Sequence, residues 1–269
     1  MARIAILTVS DRASRGEYED RGGPACEDWL RRVITTPVEI LRRITPDGRA
    51  EVAAALTDLA DGVMTVTLNR PDKLNAIDNA LARELLDALA DAKKRDDVRV
   101  VLLRGEGRAF CAGRDVTHEP TETDLLLAQG VATTLVELPK IVVAAVHGWT
   151  LGAGLEWMLN VDLVVAAQGT RFRLPEASLG VFVTGGLSAT LQASAGLARA
   201  KALMLLGEEF SAAEAQSWGL VWKLVPDGEL QAASENVCTQ LVALDPAVTA
   251  GFKRVLNEIG LTEFRRAIE

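Results

Sequence analysis

Four short apolar runs constrain this chain more than any other feature: VMTVTL (63–68), VRVVLL (98–103), IVVAAV (141–146) and DLVVAA (162–167). Each has the length of a strand, is rich in Val, Ile and Leu, and is apolar at successive positions. Such runs fit strands covered on both faces, as in a parallel sheet flanked by helices. Between them the period becomes helical. One helix starts at Asp78 or Asn79 as N-cap and carries Leu81, Leu85, Leu86 and Leu89 on one face. It ends in Lys93-Lys94-Arg95, where the helix dipole favours cations. A second helix is expected over 122–138, stopped by Pro139. From 187 onward the pattern is almost wholly helical, with one short strand at 220–224 before Pro226. The order of elements predicts an α/β fold with strands early and helices late. The first sixty residues read separately, as strand 3–9, helix 24–34, strand 38–44 and helix 47–59. That piece is about half the size of a comfortable independent domain.

Three scattered cysteines, Cys26, Cys111 and Cys238, form neither a metal-ligand spacing nor a disulfide framework, so a reducing cytoplasm is expected. With only two histidines, His118 and His147, a zinc site or a serine–histidine triad is poorly supplied. A net charge of −8 disfavours nucleic-acid binding but leaves room for a small anionic ligand held by local donors. No apolar run approaches the roughly 18–20 residues of a membrane helix. The opening MARIAILTVSD lacks the longer apolar core and cleavage site of a signal peptide and reads as a buried strand.

The chemistry concentrates in glycine turns. In GAGLEWML (152–159) a carboxylate, Glu156, stands in an apolar helix one turn after Gly152-Ala153-Gly154. Helix N-termini present unpaired N–H groups, and glycine lets a ligand approach them, so this turn is a candidate anion or oxyanion site. Burial would raise the pKa of Glu156 while the helix N-terminus would lower it, and the balance is not legible locally. Glu176 follows Pro175 and is expected on a loop. Thr184-Gly185-Gly186 then opens another helix. A third turn, Ala109 to Asp115, follows the second strand. If it converges with the Gly152 turn, two backbone amides could face one oxygen. Two carboxylates near such donors suit general acid–base chemistry on a polarised carbonyl. Each feature alone also has an ordinary structural reading. Cys111 fits a small core residue and His147 a strand-end residue, while Trp149, Trp157, Phe182 and Val183 fit core or pocket wall.

Taken together, NRPDKLNA (69–76), AFCAGRDV (109–116), HGWTLGAGLE (147–156) and LPEASLG (174–180) resemble the crotonase family of enoyl-CoA hydratases and isomerases, in order and in spacing. FSAAEA (210–215) and WGLV (218–221) extend the resemblance, which covers about 62–269. It implies a spiral of ββα units followed by C-terminal helices, with an N-terminal α/β appendage. It also implies a homotrimer or a dimer of trimers. It assigns the oxyanion-hole N–H groups to Arg114 and Ala153, and the catalytic carboxylates to Glu156 and Glu176. Substrate contacts fall at Ala112, Gly113, Gly152, Trp149 and Phe182. Many family members with other chemistry lack one of the two carboxylates, so both together point to hydration of a 2-enoyl-CoA. Coenzyme A is then part of the substrate, and no separate cofactor or metal is expected. Isomerase or hydrolase chemistry of the same family is the alternative, as is an inactive fused or truncated chain. Ala153 stands where the family often has glycine, and Arg114 brings a charged side chain to the mouth, toward a CoA phosphate or the surface. The chain stops at Glu269, where the family continues with further helices.

The first sixty residues resemble a different family. TVSDRAS (8–14), GEY (16–18) and GGPA (22–25) are similar to the start of molybdopterin adenylyltransferases, and Asp47 matches an acidic site position there. The glycine-threonine-rich loop that should follow is missing, so residues 1–61 are expected to be a partial segment without that activity.

Overall fold

A computed structural model describes residues 2–35, 38–45, 58–60, 62–117 and 121–268. The chain divides into two units, Met1–Asp58 and Leu59–Glu269. In the first, strand β1 (Ala2–Val9) is followed by helices α1 (Asp11–Ser14) and α2 (Gly22–Val33) and strand β2 (Val38–Thr45). The two strands pair in parallel, from Ala2 opposite Val38 to Val9 opposite Thr45. A parallel pair needs a crossover, which α2 supplies. Asp47 and most of the helix expected over 47–59 lie outside the described residues. Its last two positions are strand instead.

The second unit repeats one step, two strands and a helix. After β3 (Asp58–Ala60), β4 (Val63–Leu68) and α3 (Asn79–Lys94) come three full steps. They are β5 (Val100–Gly105), β6 (Ala109–Cys111) and α4 (Glu122–Glu137); β7 (Ile141–Val146), β8 (Trp149–Leu151) and α5 (Ala153–Leu159); and β9 (Leu163–Ala167), β10 (Arg171–Arg173) and α6 (Glu176–Leu179). The first strand of each step joins a six-stranded sheet of order β12 (Lys223–Val225), β9, β7, β5, β4, β3, and the second joins a four-stranded sheet of order β11 (Phe210–Ser211), β10, β8, β6. The chain closes with α7 (Leu187–Ala195), α8 (Leu197–Leu206), β11 (Phe210–Ser211), α9 (Ala212–Ser217), β12 (Lys223–Val225), α10 (Leu230–Val242), α11 (Pro246–Gly260) and α12 (Phe264–Ile268). This is the spiral of ββα units followed by helices.

The uninterrupted apolar runs are explained by cover on both faces of the large sheet. Met64, Val101, Leu103, Val142 and Ala144 join the main core, while Val100, Leu102, Val143 and Val165 pack with Val237 and Cys238 of α10. Asp78 caps α3, accepting from the Leu81 amide at 2.8 Å. Two expected strands shift. The second starts at Val100, because the Val98 amide is spent on the turn to Arg95 and the ladder begins opposite Val63. The last starts at Lys223, because the Leu220 and Val221 amides close α9 onto Ala215.

A buried lysine ties the layers. Lys253 of α11 donates to Asp162 (2.8 Å), to the Leu135 carbonyl (2.8 Å) and to the Lys140 carbonyl (3.1 Å). Asp162 also accepts from the Val142 amide at 2.8 Å. Burial pushes Asp162 up and Lys253 down, and their pairing opposes both shifts. Removing one partner strands the other charge, so Lys253→Met is expected to cost about 3–5 kcal/mol in urea denaturation. A loss below about 1 kcal/mol would show that the pair is not a structural tie.

Candidate active site

The turn after β6 is held by the stretch before α3. Ala112 donates to the Leu74 carbonyl (2.9 Å), Ile77 to the Gly113 carbonyl (2.8 Å) and Asp115 to the Ile77 carbonyl (2.8 Å). This parallel bridge between Ile77 and Arg114 uses the groups on either side of Arg114. The Arg114 amide itself therefore points the other way, with no acceptor among the described residues. The turn after β8 meets it there. Gly113, at φ +86°, approaches so closely that a Cβ on it would lie 2.8 Å from the Leu151 carbonyl oxygen and 3.5 Å from the Ala153 nitrogen. Gly154 backs onto Cys111, with no room for a side chain. Ala153 is the first residue of α5, so its amide is one of the donors a helix leaves unpaired. Both amides thus lie where the two turns meet, without a backbone acceptor among the described residues.

Asn75, which no sequence signal singles out within its motif, sets this arrangement. It is fully buried with a left-handed backbone, φ 57°. Its Nδ2 donates to the carbonyls of Glu106 (2.9 Å), Ala109 (2.7 Å) and Phe110 (3.2 Å), and its Oδ1 accepts from the Arg70 amide at 2.8 Å. Arg70 completes the clasp with ion pairs to Asp78 and Asp115, both at 3.2 Å. Asparagine in a proline-containing stretch signals a turn. Nothing local shows that the turn holds a loop more than thirty residues away.

Glu156 follows Ala153 by one helical turn and is 3% exposed. Its Oε1 accepts from the Gly185 amide (2.8 Å) and the Leu187 amide (3.0 Å), at the start of α7. Oε2 accepts no hydrogen bond among the described residues. Burial pushes the carboxyl up to about 7; the two amides pull it down, and the charge of Glu176 adds to the rise. Glu176 opens α6 rather than a loop: the Pro175 carbonyl accepts from Ser178 and Leu179, and Gly180 ends the turn at φ +68°. A Cβ on Gly152 would lie 2.6 Å from Glu176 Oε1, so this carboxyl stands over the same turn that offers the Ala153 amide. Burial raises its pKa also, and Oε2 is buried without a hydrogen-bond partner among the described residues.

Ala112, Gly113, Arg114, Gly152, Ala153, Glu156 and Glu176 therefore converge. Trp149, on β8, is 38% exposed, and Phe182, between Glu176 and Gly185 in the chain, is 79% exposed. Trp157, 1% exposed, and Val183, 6% exposed, both belong to the core. The Arg114 side chain turns to Asp124 of α4, at 3.2 Å. His147 contacts the Gly107 carbonyl, and Cys111 is buried with its thiol pushed up to about 12, both in structural positions. Among the described residues no cluster of three or more His, Cys, Asp or Glu could hold a metal ion.

Residues 58–263 match the family described as Enoyl-CoA hydratase/isomerase. This chain belongs to that family. It is an enzyme of the hydratase/isomerase type, and its relatives divide between the two chemistries. It is 35% identical to the 1,2-epoxyphenylacetyl-CoA isomerase of Escherichia coli K12, over 75% of this chain and 81% of the relative. It is 33% identical to the 2,3-dehydroadipyl-CoA hydratase of the same organism, over 73% and 78%. Among solved structures, an enoyl-CoA hydratase from Mycobacterium avium subsp. paratuberculosis K-10 superposes with a TM-score of 0.75 at 34% identity, covering 78% of this chain and 84% of that one. The family match includes no part of β1, α2 or β2.

Proposed function

We propose that this chain adds water across the C2–C3 double bond of a 2-enoyl-CoA thioester. The observation that carries this reading is the pair of carboxyls, buried Glu156 and half-buried Glu176, beside a turn that also offers unpaired amides. In this mechanism the Arg114 and Ala153 amides donate to the thioester oxygen. A water lies between the carboxyls. Glu156 takes its proton as hydroxide bonds to C3, negative charge develops on the thioester oxygen, and Glu176 delivers a proton to C2. The sum is one water added, and the proton passes from Glu156 back to Glu176 before the next turnover. Amides fixed by Asn75 and by the start of α5 need no reorganisation as the charge develops, the condition under which such donors lower a barrier most.

The substrate brings its own coenzyme A, and no separate cofactor takes part in this reading. The domain is 62–269, assembled as a homotrimer or a dimer of trimers in a cytoplasmic setting. The exposed apolar side chains Val248, Phe252, Val255, Leu256 and Ile259, spaced along α11, support assembly as a way to bury them. No helix among the described residues is long and apolar enough to cross a membrane. In this reading residues 1–61 are a partial segment, resembling the start of molybdopterin adenylyltransferases in sequence and without that activity.

The test is product analysis on a short 2-enoyl-CoA. Hydration yields a product heavier by one water, with loss of the conjugated-thioester absorbance. A shifted double bond at unchanged mass, or released CoA thiol, would overturn the reading in favour of isomerase or hydrolase chemistry.

A further inference from the structure

The amides that hold Glu156 flank Gly186, and the reverse side of Gly186 is covered by Phe264 of α12. Gly186 has φ +84°, and a Cβ on it would collide with the Phe264 ring. Phe264 is 4% exposed and packs with Ala132 and Val136 of α4, and with Ala189 of α7, Leu261 and Ile268. Its short helix is fastened to α4 at both ends: Arg265 pairs with Glu137 at 3.1 Å, and the Ile268 carbonyl accepts from Gln129 at 2.5 Å. On the front of the same turn, a Cβ on Gly185 would lie 2.7 Å from Glu156 Cδ and 3.2 Å from Ala132 Cβ. The Gly185 carbonyl accepts from Asn160 at 2.9 Å. Gly185 and Gly186 are thus clamped between a carboxylate and an aromatic ring, with no side chain of their own to resist displacement, and Leu187 after them is anchored in the core. Close packing transmits a lost contact as a shift of its neighbours.

We propose that Phe264 is a positioning residue for Glu156. It has no contact with the reacting atoms. Its ring holds the Gly185–Gly186–Leu187 turn against the carboxylate, so that both amides bind Oε1 and Oε2 is aimed at the substrate. The C-terminal helix α12, far from the motifs in sequence, thereby supports the acid–base step. This inference rests on the hydratase reading given above, in which Glu156 is the base.

The experiment is a double-mutant cycle on the full chain, with 2-enoyl-CoA hydration as the readout and circular dichroism confirming that each variant is folded at the assay temperature. Phe264→Ala is expected to lower kcat about tenfold with KM within about twofold, because small misplacements of a catalytic group are costly to chemistry. Phe264→Leu, which keeps most of the packing volume, is expected to recover most of that loss. In a Glu156→Gln background the Phe264→Ala substitution is expected to add nothing, since the group it positions is already gone. An unchanged kcat in Phe264→Ala, or the same tenfold loss with or without Glu156, would overturn the proposal. Should Phe264→Ala fail to fold, the same cycle with Phe264→Leu decides, with a smaller kcat loss that must likewise vanish with Glu156→Gln. Wild-type turnover in Glu156→Gln alone would instead overturn the hydratase mechanism, a separate outcome.

Discussion

Glu156→Gln is expected to lower the turnover of 2-enoyl-CoA hydration about a thousandfold, and Glu176→Gln by a similar factor, the middle of the range for a positioned acid or base. Either variant at wild-type rate would remove that residue from the mechanism. The Glu156 substitution carries a second expectation of opposite sign. Burial raises this carboxyl from 4.5 to about 7. A group whose folded pKa is raised contributes stability that is fully present below its unfolded pKa and lost as pH rises through the folded one. The contribution of Glu156 to the stability of the wild-type chain should therefore fall between about pH 4.5 and 7, by about 3 kcal/mol for a shift of this size. Glutamine is neutral throughout and can still accept the Gly185 and Leu187 amides. Glu156→Gln should match the wild type near pH 4.5 and exceed it by up to about 3 kcal/mol at pH 8, in urea denaturation at both values. A difference independent of pH would show that the carboxyl is not ionised at a cost in the folded chain. A site that loses activity and gains stability on one substitution is one where the fold supports a strained charge for the sake of chemistry.

Gly113→Ala is expected to cost about a hundredfold to a thousandfold in kcat, the usual consequence of losing one oxyanion donor. The added Cβ meets the Leu151 carbonyl oxygen at 2.8 Å, and the backbone at φ +86° disfavours any side chain. The Gly113 and Leu151 turns must separate, and the Arg114 amide leaves its place beside Ala153. Strain at such a position costs about 1–3 kcal/mol, so the variant should remain folded for kinetic comparison. A folded variant with unchanged kcat would remove the Arg114 amide from the mechanism.

Much of the fold and of the site is legible in the amino-acid order. The apolar runs name the central strands, because burial on both faces leaves no polar alternation to hide them. Asp78 and Pro139 mark helix ends, because caps and ring constraints act within a few residues. The motifs around Gly113, Gly152 and Glu176 carry the resemblance to a family that the comparison with known proteins establishes. Glu176 itself reads as a loop residue, since proline is a breaker, although Pro175 in fact precedes a helical turn.

Sequence by itself determined the elements, their order and the chemical groups on offer, since these follow from interactions between residues a few positions apart. Only the tertiary structure decided what those groups do to one another. It put Trp157 in the core and left Phe182 exposed, although both are bulky residues beside a motif. It set Asn75 beneath the Arg114 turn and Phe264 behind the Gly186 turn. It also raised the pKa of Glu156, which depends on water excluded by packing and on amides donated from 29 and 31 residues away. Desolvation and long-range hydrogen bonds are properties of the assembled interior, and no local pattern encodes them.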